Sequence, residues 1–209
     1  MRKLIVSEFL TLDGVMQGPG HPDEDRSGGF EYGGWQTYMD DEQMRQVAEA
    51  IAATDTYLLG RKTYEIFAAH WPFQPDSDPF ARTLNGLPKH VVSTTLREPL
   101  AWQNSTLISD DVRAAVTRLK ELPGKNISVL GSGQLVQTLL RDDLVDELVL
   151  MIDPIVLGTG KRLFREGLSP FGLELVDSRV GSNGVLTLSY RPAGDPFAKS
   201  EGRMVAATA

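Results

Sequence analysis

The stretch "VLGSGQLVQTLL" constrains this chain more than any other. An apolar run reaches a glycine pair, Gly131 and Gly133, and passes straight into a segment whose apolar residues recur at helical spacing. A buried strand running directly into an amphipathic helix belongs to a layered α/β structure, in which the helix carries the chain back across a sheet.

The neighbouring segments repeat that alternation. "KLIVSEFL" (3–10) is a strand, followed by a loop rich in Gly, Pro and Asp, "TLDGVMQGPGHPDEDRSGGFEYGGW". From Asp40 an acidic first turn leads a helix with Met44, Val47, Ala48, Ile51 and Ala52 on the face expected to pack on the sheet. "TYLLG" (56–60) is a short buried strand, with the helix "RKTYEIFAAHW" directly behind it. "KHVVSTT" (89–95) and "STLIS" (105–109) supply further strands. Asp110 is expected to cap a helix that carries Val112, Ala115, Val116 and Leu119 and stops at Pro123-Gly124. "NISVLG" and "DELVLMIDPIVLG" flank the helix that opens at Gly133, and "LELVDSRVGSNGVLTLSY" reads as a hairpin around Asn183-Gly184. The predicted fold is therefore α/β: three layers, α/β/α, around a mixed, mostly parallel sheet with a C-terminal antiparallel hairpin. It forms one domain over 1–191. The tail, 192–209, is expected to be flexible or to contact a partner.

Composition narrows the function. With 209 residues the chain suits a single domain, and the absence of cysteine excludes disulfides, thiolate zinc sites and a cysteine nucleophile. A formal net charge of -7 opposes binding to a phosphate backbone, so no nucleic acid partner is expected. No apolar stretch approaches the roughly 20 residues that cross a bilayer, and the N-terminal run alternates with polar residues as a strand does. No membrane partner and a cytoplasmic location are expected. His21, His70 and His90 are scattered over a loop, a helix and a strand start, so no metal is expected either. Walker, nucleophile-elbow and His-Glu-x-x-His motifs are absent.

Ligands of parallel α/β sheets gather outside the carboxyl ends of the strands, where this chain offers three suggestive junctions. At Gly131-Ser132-Gly133 the backbone is bare and leads into a helix N-terminus, which suits an anion; the same glycines also serve a plain tight turn. At "LLGRKTY" the cations Arg61 and Lys62 occupy a first helical turn, where they oppose the macrodipole unless an anion is bound. The other reading makes them solvated surface charges. At "VVSTTL" the hydroxyls of Ser93, Thr94 and Thr95 either bond a phosphate or cap and turn the chain. Together the three junctions favour a dinucleotide site.

"LLGRKTYEIF", "VVST", "VLGSGQLVQTLL" and "LVDELVLMIDPIVLGTGKRLF", in this order behind a strand ending in "TLDG", resemble the dihydrofolate reductase superfamily. They are most similar to the branch that contains the C-terminal reductase domain of the riboflavin-biosynthesis deaminase-reductase. The resemblance spans roughly residues 2 to 191 and implies an NADPH-dependent reductase acting on a C=N bond of a pterin-like or aminopyrimidine substrate. By position, Gly60, Arg61, Lys62 and Thr63 are implied to meet the cofactor's phosphates, with Arg61, Ser93, Thr94 and Thr95 around the adenosine 2′-phosphate. Gly131, Ser132, Gly133, Gln134 and Leu135 are implied to hold the pyrophosphate and adjoining ribose. Asp13 is either a turn residue before Gly14 or a group that orients the substrate; as a catalytic acid it needs an apolar pocket and a raised pKa. Val15 stands where the branch usually has a basic residue. Phe67 and Trp71 either line a flat pocket for the heterocycle or belong to the core. The branch also implies a homodimer. The competing readings are a nucleotide- or small-molecule-binding module without turnover, and an assembly protein that pairs through its hairpin and tail.

Overall fold

In "LIVSEFLT" alternate residues are apolar, and Leu4–Thr11 accordingly forms a strand, β1, that sets Leu4, Val6, Glu8 and Leu10 on one face. The computed structural model describes residues 1–36 and 38–197. Along the chain follow α1 (Asp41–Ala52), β2 (Thr54–Gly60), α2 (Arg61–Ala68), α3 (Pro79–Gly86), β3 (Lys89–Val92) and β4 (Ser105–Ile108). After them come α4 (Val112–Glu121), β5 (Asn126–Leu130), α5 (Gly133–Arg141), β6 (Glu147–Asp153), β7 (Leu173–Val180) and β8 (Leu186–Pro192).

The eight strands among the described residues join one sheet in the order β4-β3-β2-β5-β1-β6-β8-β7. Strands β1 to β6 pair in parallel, whereas β8 runs antiparallel to both β6 and β7. The fold is the expected α/β one, a mixed and mostly parallel sheet closed by an antiparallel hairpin. On one face α4 and α5 bring Val116, Val136 and Leu139 onto Leu4, Val6, Ile127, Val129 and Leu148, all fully buried. On the other, Tyr64 of α2 and Leu84 of α3 cover Tyr57, Leu59 and Val91 with Trp102. Each such apolar side chain contributes roughly 1.5–3 kcal/mol on burial. A third cluster of Val15, Phe30 and Trp35 packs with Phe9 and Leu157 and anchors the loop after β1.

Three local expectations need correction. The apolar side of α1 is not pressed on the sheet: Gln43 is its one buried residue and Met44 is 51% exposed. Polar ties hold this helix instead, because Asp40 accepts the Gln43 and Ser182 amides and Glu42 pairs with Arg179 at 2.8 Å. The cap of α4 is Asp111, whose carboxylate accepts the Ala114 N–H, rather than Asp110. Helix α3 was not expected from the apolar pattern; Asp78 caps it ahead of Pro79. The tail expected from Pro192 lies outside the described residues from position 198 onward.

Candidate functional site

The carboxyl ends of β1, β2, β3 and β5 open on one cavity of about 730 Å³. Gly60, Arg61, Lys62, Thr63 and Phe67 line it, as do Ser93, Thr94, Thr95 and the run from Gly131 to Leu135. All three junctions singled out in the sequence thus reach a single space.

Two of them are bonded together. Ser132 adopts a left-handed conformation at φ 73°, and its hydroxyl accepts the Gly60 N–H at 2.8 Å while donating to Thr63 Oγ1 at 2.7 Å. Gly131 has φ 61°, and a Cβ on it would lie 3.1 Å from Thr63 Oγ1, so glycine serves both the backbone angle and the close approach. Gly133 opens α5 beneath Met16, whose Sδ lies 2.7 Å from the place a Cβ would take. Its bareness therefore also accommodates a side chain of the protein's own loop.

The charges and hydroxyls divide between structure and cavity. Arg61 and Lys62 share Glu65 as counterion, at 3.1 and 3.3 Å, across the first turn of α2. These are exposed pairs of low intrinsic strength, easily exchanged for a stronger anion. Ser93 Oγ accepts the Thr95 and Leu96 amides at 3.1 and 3.0 Å, which makes it the turn former of its junction and leaves Thr94 and Thr95 exposed.

Two of the substrate-side expectations are corrected. Asp13 does not line the cavity. Its Oδ1 accepts from Thr11 Oγ1 at 2.6 Å and from the Leu157 N–H at 3.2 Å, while Oδ2 accepts the Gly158 N–H at 2.9 Å and pairs with Arg162 at 3.1 Å. The Thr11 hydroxyl, joined by these amides and the guanidinium, holds the carboxyl well below the usual carboxylate range, opposite to the shift a proton donor requires. Asp13 is the pin between two loops. Trp71 is likewise absent from the cavity; partly buried, it packs edge-on to Phe80 at 4.9 Å and to Phe67 at 6.1 Å, at the rim of the second cluster. Phe67 alone of that pair faces the site.

Several lining residues were not singled out in the sequence: Glu8, Met16, Gln17, Lys161 and Arg165. Glu8 left a readable trace, a carboxyl at the apolar phase of β1. The loop residues left none, because tertiary bonds place them. Gln17 donates to Asp25 O and Ser27 O at 3.0 and 2.9 Å and accepts the Lys161 N–H at 3.0 Å. Lys161 pairs with Asp25 at 2.5 Å, and Trp35 Nε1 donates to Gln17 O at 2.8 Å. The loop after β1 is thus a bonded wall of the cavity.

The family model for the RibD C-terminal domain matches residues 2–187. The chain belongs to the RibD C-terminal domain family. A relative shown as the uncharacterized protein YyaP of Bacillus subtilis (strain 168) is 30% identical over 192 residues, covering 90% of this chain and 94% of its own. YwjB of the same organism, also uncharacterized, is 30% identical over 132 residues, 63% of this chain and 71% of its own. Among solved structures, a protein assigned to riboflavin biosynthesis from Shewanella sp. PV-4 aligns with a TM-score of 0.66 at 23% identity, over 91% of this chain and 99% of that one. A pyrimidine reductase-like protein from Corynebacterium diphtheriae aligns at 0.61 and 14% identity, over 93% of each. These two likenesses concern the fold; the family membership marks the chain as an oxidoreductase-type domain of the RibD reductase kind. No helix among the described residues is long and apolar enough to cross a membrane.

Proposed function

We propose that this chain is an NADPH-dependent reductase that delivers hydride to a C=N bond of a pterin-like or aminopyrimidine substrate, in a cytoplasmic setting. The observation that carries the reading is the convergence of the β2, β3 and β5 junctions on one cavity, with Arg61 at its rim and the start of α5 at its floor. NADPH supplies the hydride when bound. The residues present fit such a group. The Arg61 guanidinium has only a partly exposed carboxylate to exchange for a 2′-phosphate, and the exposed Thr94 and Thr95 line the same cavity, Thr95 Oγ1 lying 3.3 Å from Ser93 Oγ. The amides that open α5 suit a pyrophosphate once Met16 swings aside. Ser132 and Ser93 spend their hydroxyls on the turns that hold this cradle in shape.

On the substrate side, Phe9, Ile66 and Phe67 give apolar walls for a flat ring. Val15 is fully buried in the loop cluster, so it offers nothing to a substrate phosphate. The proposed partner is a small-molecule heterocycle. The homodimer implied by the resemblance is part of the reading: β7 ends the sheet, with Leu175, Val176 and Val180 exposed along an edge that a second copy would cover. A monomer by light scattering would contradict it.

The deciding experiment is a titration with NADPH and NADH, followed by tryptophan fluorescence, on the wild type and Arg61→Ala. The expected result is NADPH-selective binding whose selectivity falls by about tenfold or more in the variant, since charge-assisted bonds to a phosphate are worth roughly 1.5–3 kcal/mol. A folded wild type that binds neither nucleotide would overturn the reading. Selective binding with no turnover on dihydrofolate, pterin or aminopyrimidine substrates would favour the binding module.

A further inference from the structure

Glu8 is an anomaly of β1. Its strand face otherwise carries Leu4, Val6 and Leu10, and parallel pairing sets it beside Leu150 of β6 and level with the β5 exit at Gly131. The residue is 3% exposed, yet it borders the cavity. Its Oε1 is shut off from solvent and finds no hydrogen-bond partner among the described residues. An unsatisfied buried polar atom is destabilising, a cost that a leucine here would avoid. Such a local breach of patterning, placed at the cavity and nowhere else on this strand face, marks a functional group.

The other ionisable groups around the cavity are engaged. Arg61 and Lys62 on α2 pair with Glu65, and Lys161 after β6 pairs with Asp25 of the loop. Glu24 accepts the Gly20 N–H at 2.6 Å, and Arg165 donates to Arg162 O. None of them bonds Glu8.

We propose that Glu8 is the proton donor of the reaction, an inference that rests on the reductase reading above. As hydride from a dihydronicotinamide reaches the carbon of a C=N bond, the π pair moves onto nitrogen, and that nitrogen takes the proton of the Glu8 carboxyl. The dihydronicotinamide is oxidised, the C=N bond becomes a C–N single bond, and Glu8 is left as a carboxylate that regains its proton from water. The required state is the neutral acid. Burial alone pushes the Glu8 carboxyl up to about 8, so it holds its proton at neutral pH, whereas Asp153, the other buried carboxyl with an unpartnered oxygen among the described residues, rises only to about 6.

The test uses the full chain with Glu8→Gln and Glu8→Leu, and reads three signals. Infrared difference spectra of wild type minus Glu8→Gln at pH 7 are expected to show a protonated carboxyl C=O band, with or without nucleotide; its absence would overturn the proposal independently of any activity. Fluorescence titration is expected to give both variants the wild-type affinity for NADPH. With dihydrofolate and 5-amino-6-ribosylaminouracil as probes, kcat is expected to fall about 10²-fold or more in both variants with KM little changed, the usual scale of lost general acid catalysis. Turnover retained in Glu8→Gln but lost in Glu8→Leu would reduce the role to a hydrogen bond and overturn proton donation. Turnover retained in both would also overturn it while leaving the reductase reading intact. A wild type that binds no NADPH and reduces neither probe would remove the reductase reading and the proposal together.

Discussion

Ser132 Oγ lies 2.8 Å from the Gly60 nitrogen, so one hydroxyl joins the β5-to-α5 turn to the β2-to-α2 turn across 72 positions of sequence. The same oxygen donates to Thr63 Oγ1 at 2.7 Å, and it does so from a backbone angle that a non-glycine residue adopts only at some cost. Ser132→Ala keeps the angle and removes both bonds, leaving the half-buried Gly60 N–H unpaired. The expected outcome is a loss of about 1–3 kcal/mol in a denaturant titration, with weaker NADPH binding as the two turns separate. Unchanged stability would show that water replaces the hydroxyl.

Met16 and Gly133 form a pair that should behave non-additively. Gly133→Ala places a methyl 2.7 Å from the Met16 sulfur, at the flexible end of a side chain that can turn away. Alone, the substitution is expected to destabilise the chain by about 1 kcal/mol and to slow nucleotide association, because Met16 is then pressed into the cavity. Adding Met16→Ala should recover the association rate, giving a coupling of about 0.5 kcal/mol or more in a double-mutant cycle. Strict additivity would mean that the two residues act separately.

Asp13 predicts a pH dependence of stability. Its folded pKa lies below the ordinary carboxylate value, so the ionised form stabilises the fold; that contribution is complete above the unfolded pKa, near 3.9, and fades as pH falls toward the folded value. Asp13→Asn should therefore unfold at a lower Tm than wild type at pH 7, and the gap should close on acidification below about pH 4. A gap that does not vary with pH would assign the effect to shape rather than charge. Catalysis is expected to suffer only to the extent that the Leu157–Gly158 turn loosens.

Much of this was legible in the chain itself, for definite reasons. Strand-to-helix junctions at Gly60 and Gly131, the Asn183-Gly184 hairpin and the cavity-lining hydroxyls at 93–95 all follow from local angle and hydrogen-bond requirements that short stretches state outright. What failed depends on partners far away in sequence. The apolar side of α1 reads as sheet-facing, but Arg179 and Ser182, more than a hundred residues on, fix its pose through Glu42 and Asp40. Asp13 looks equally suited to a turn or a substrate until Leu157, Gly158 and Arg162 claim its oxygens. Trp71 belongs with Phe80 on α3, a helix of only eight residues opened by a proline, too short for its apolar spacing to announce it. Glu8 was the readable signal left unread: one acid in the phase of Leu4, Val6 and Leu10.

The place of β1 in the sheet bears on how the protein comes into being. Although β1 is the earliest strand of the chain, its neighbours are β5, through Leu4 and Ile127, and β6, through Ile5 and Glu147. Neither edge of β1 can be satisfied until those later segments have emerged from the ribosome, and long-range parallel pairing of this kind is slow and leaves apolar strands exposed meanwhile. Glu8 and the glycine turn of α5 therefore meet only after the chain has grown past residue 133. A nascent chain halted before residue 126 holds most of the residues that line the cavity but none of the glycine turn at its floor.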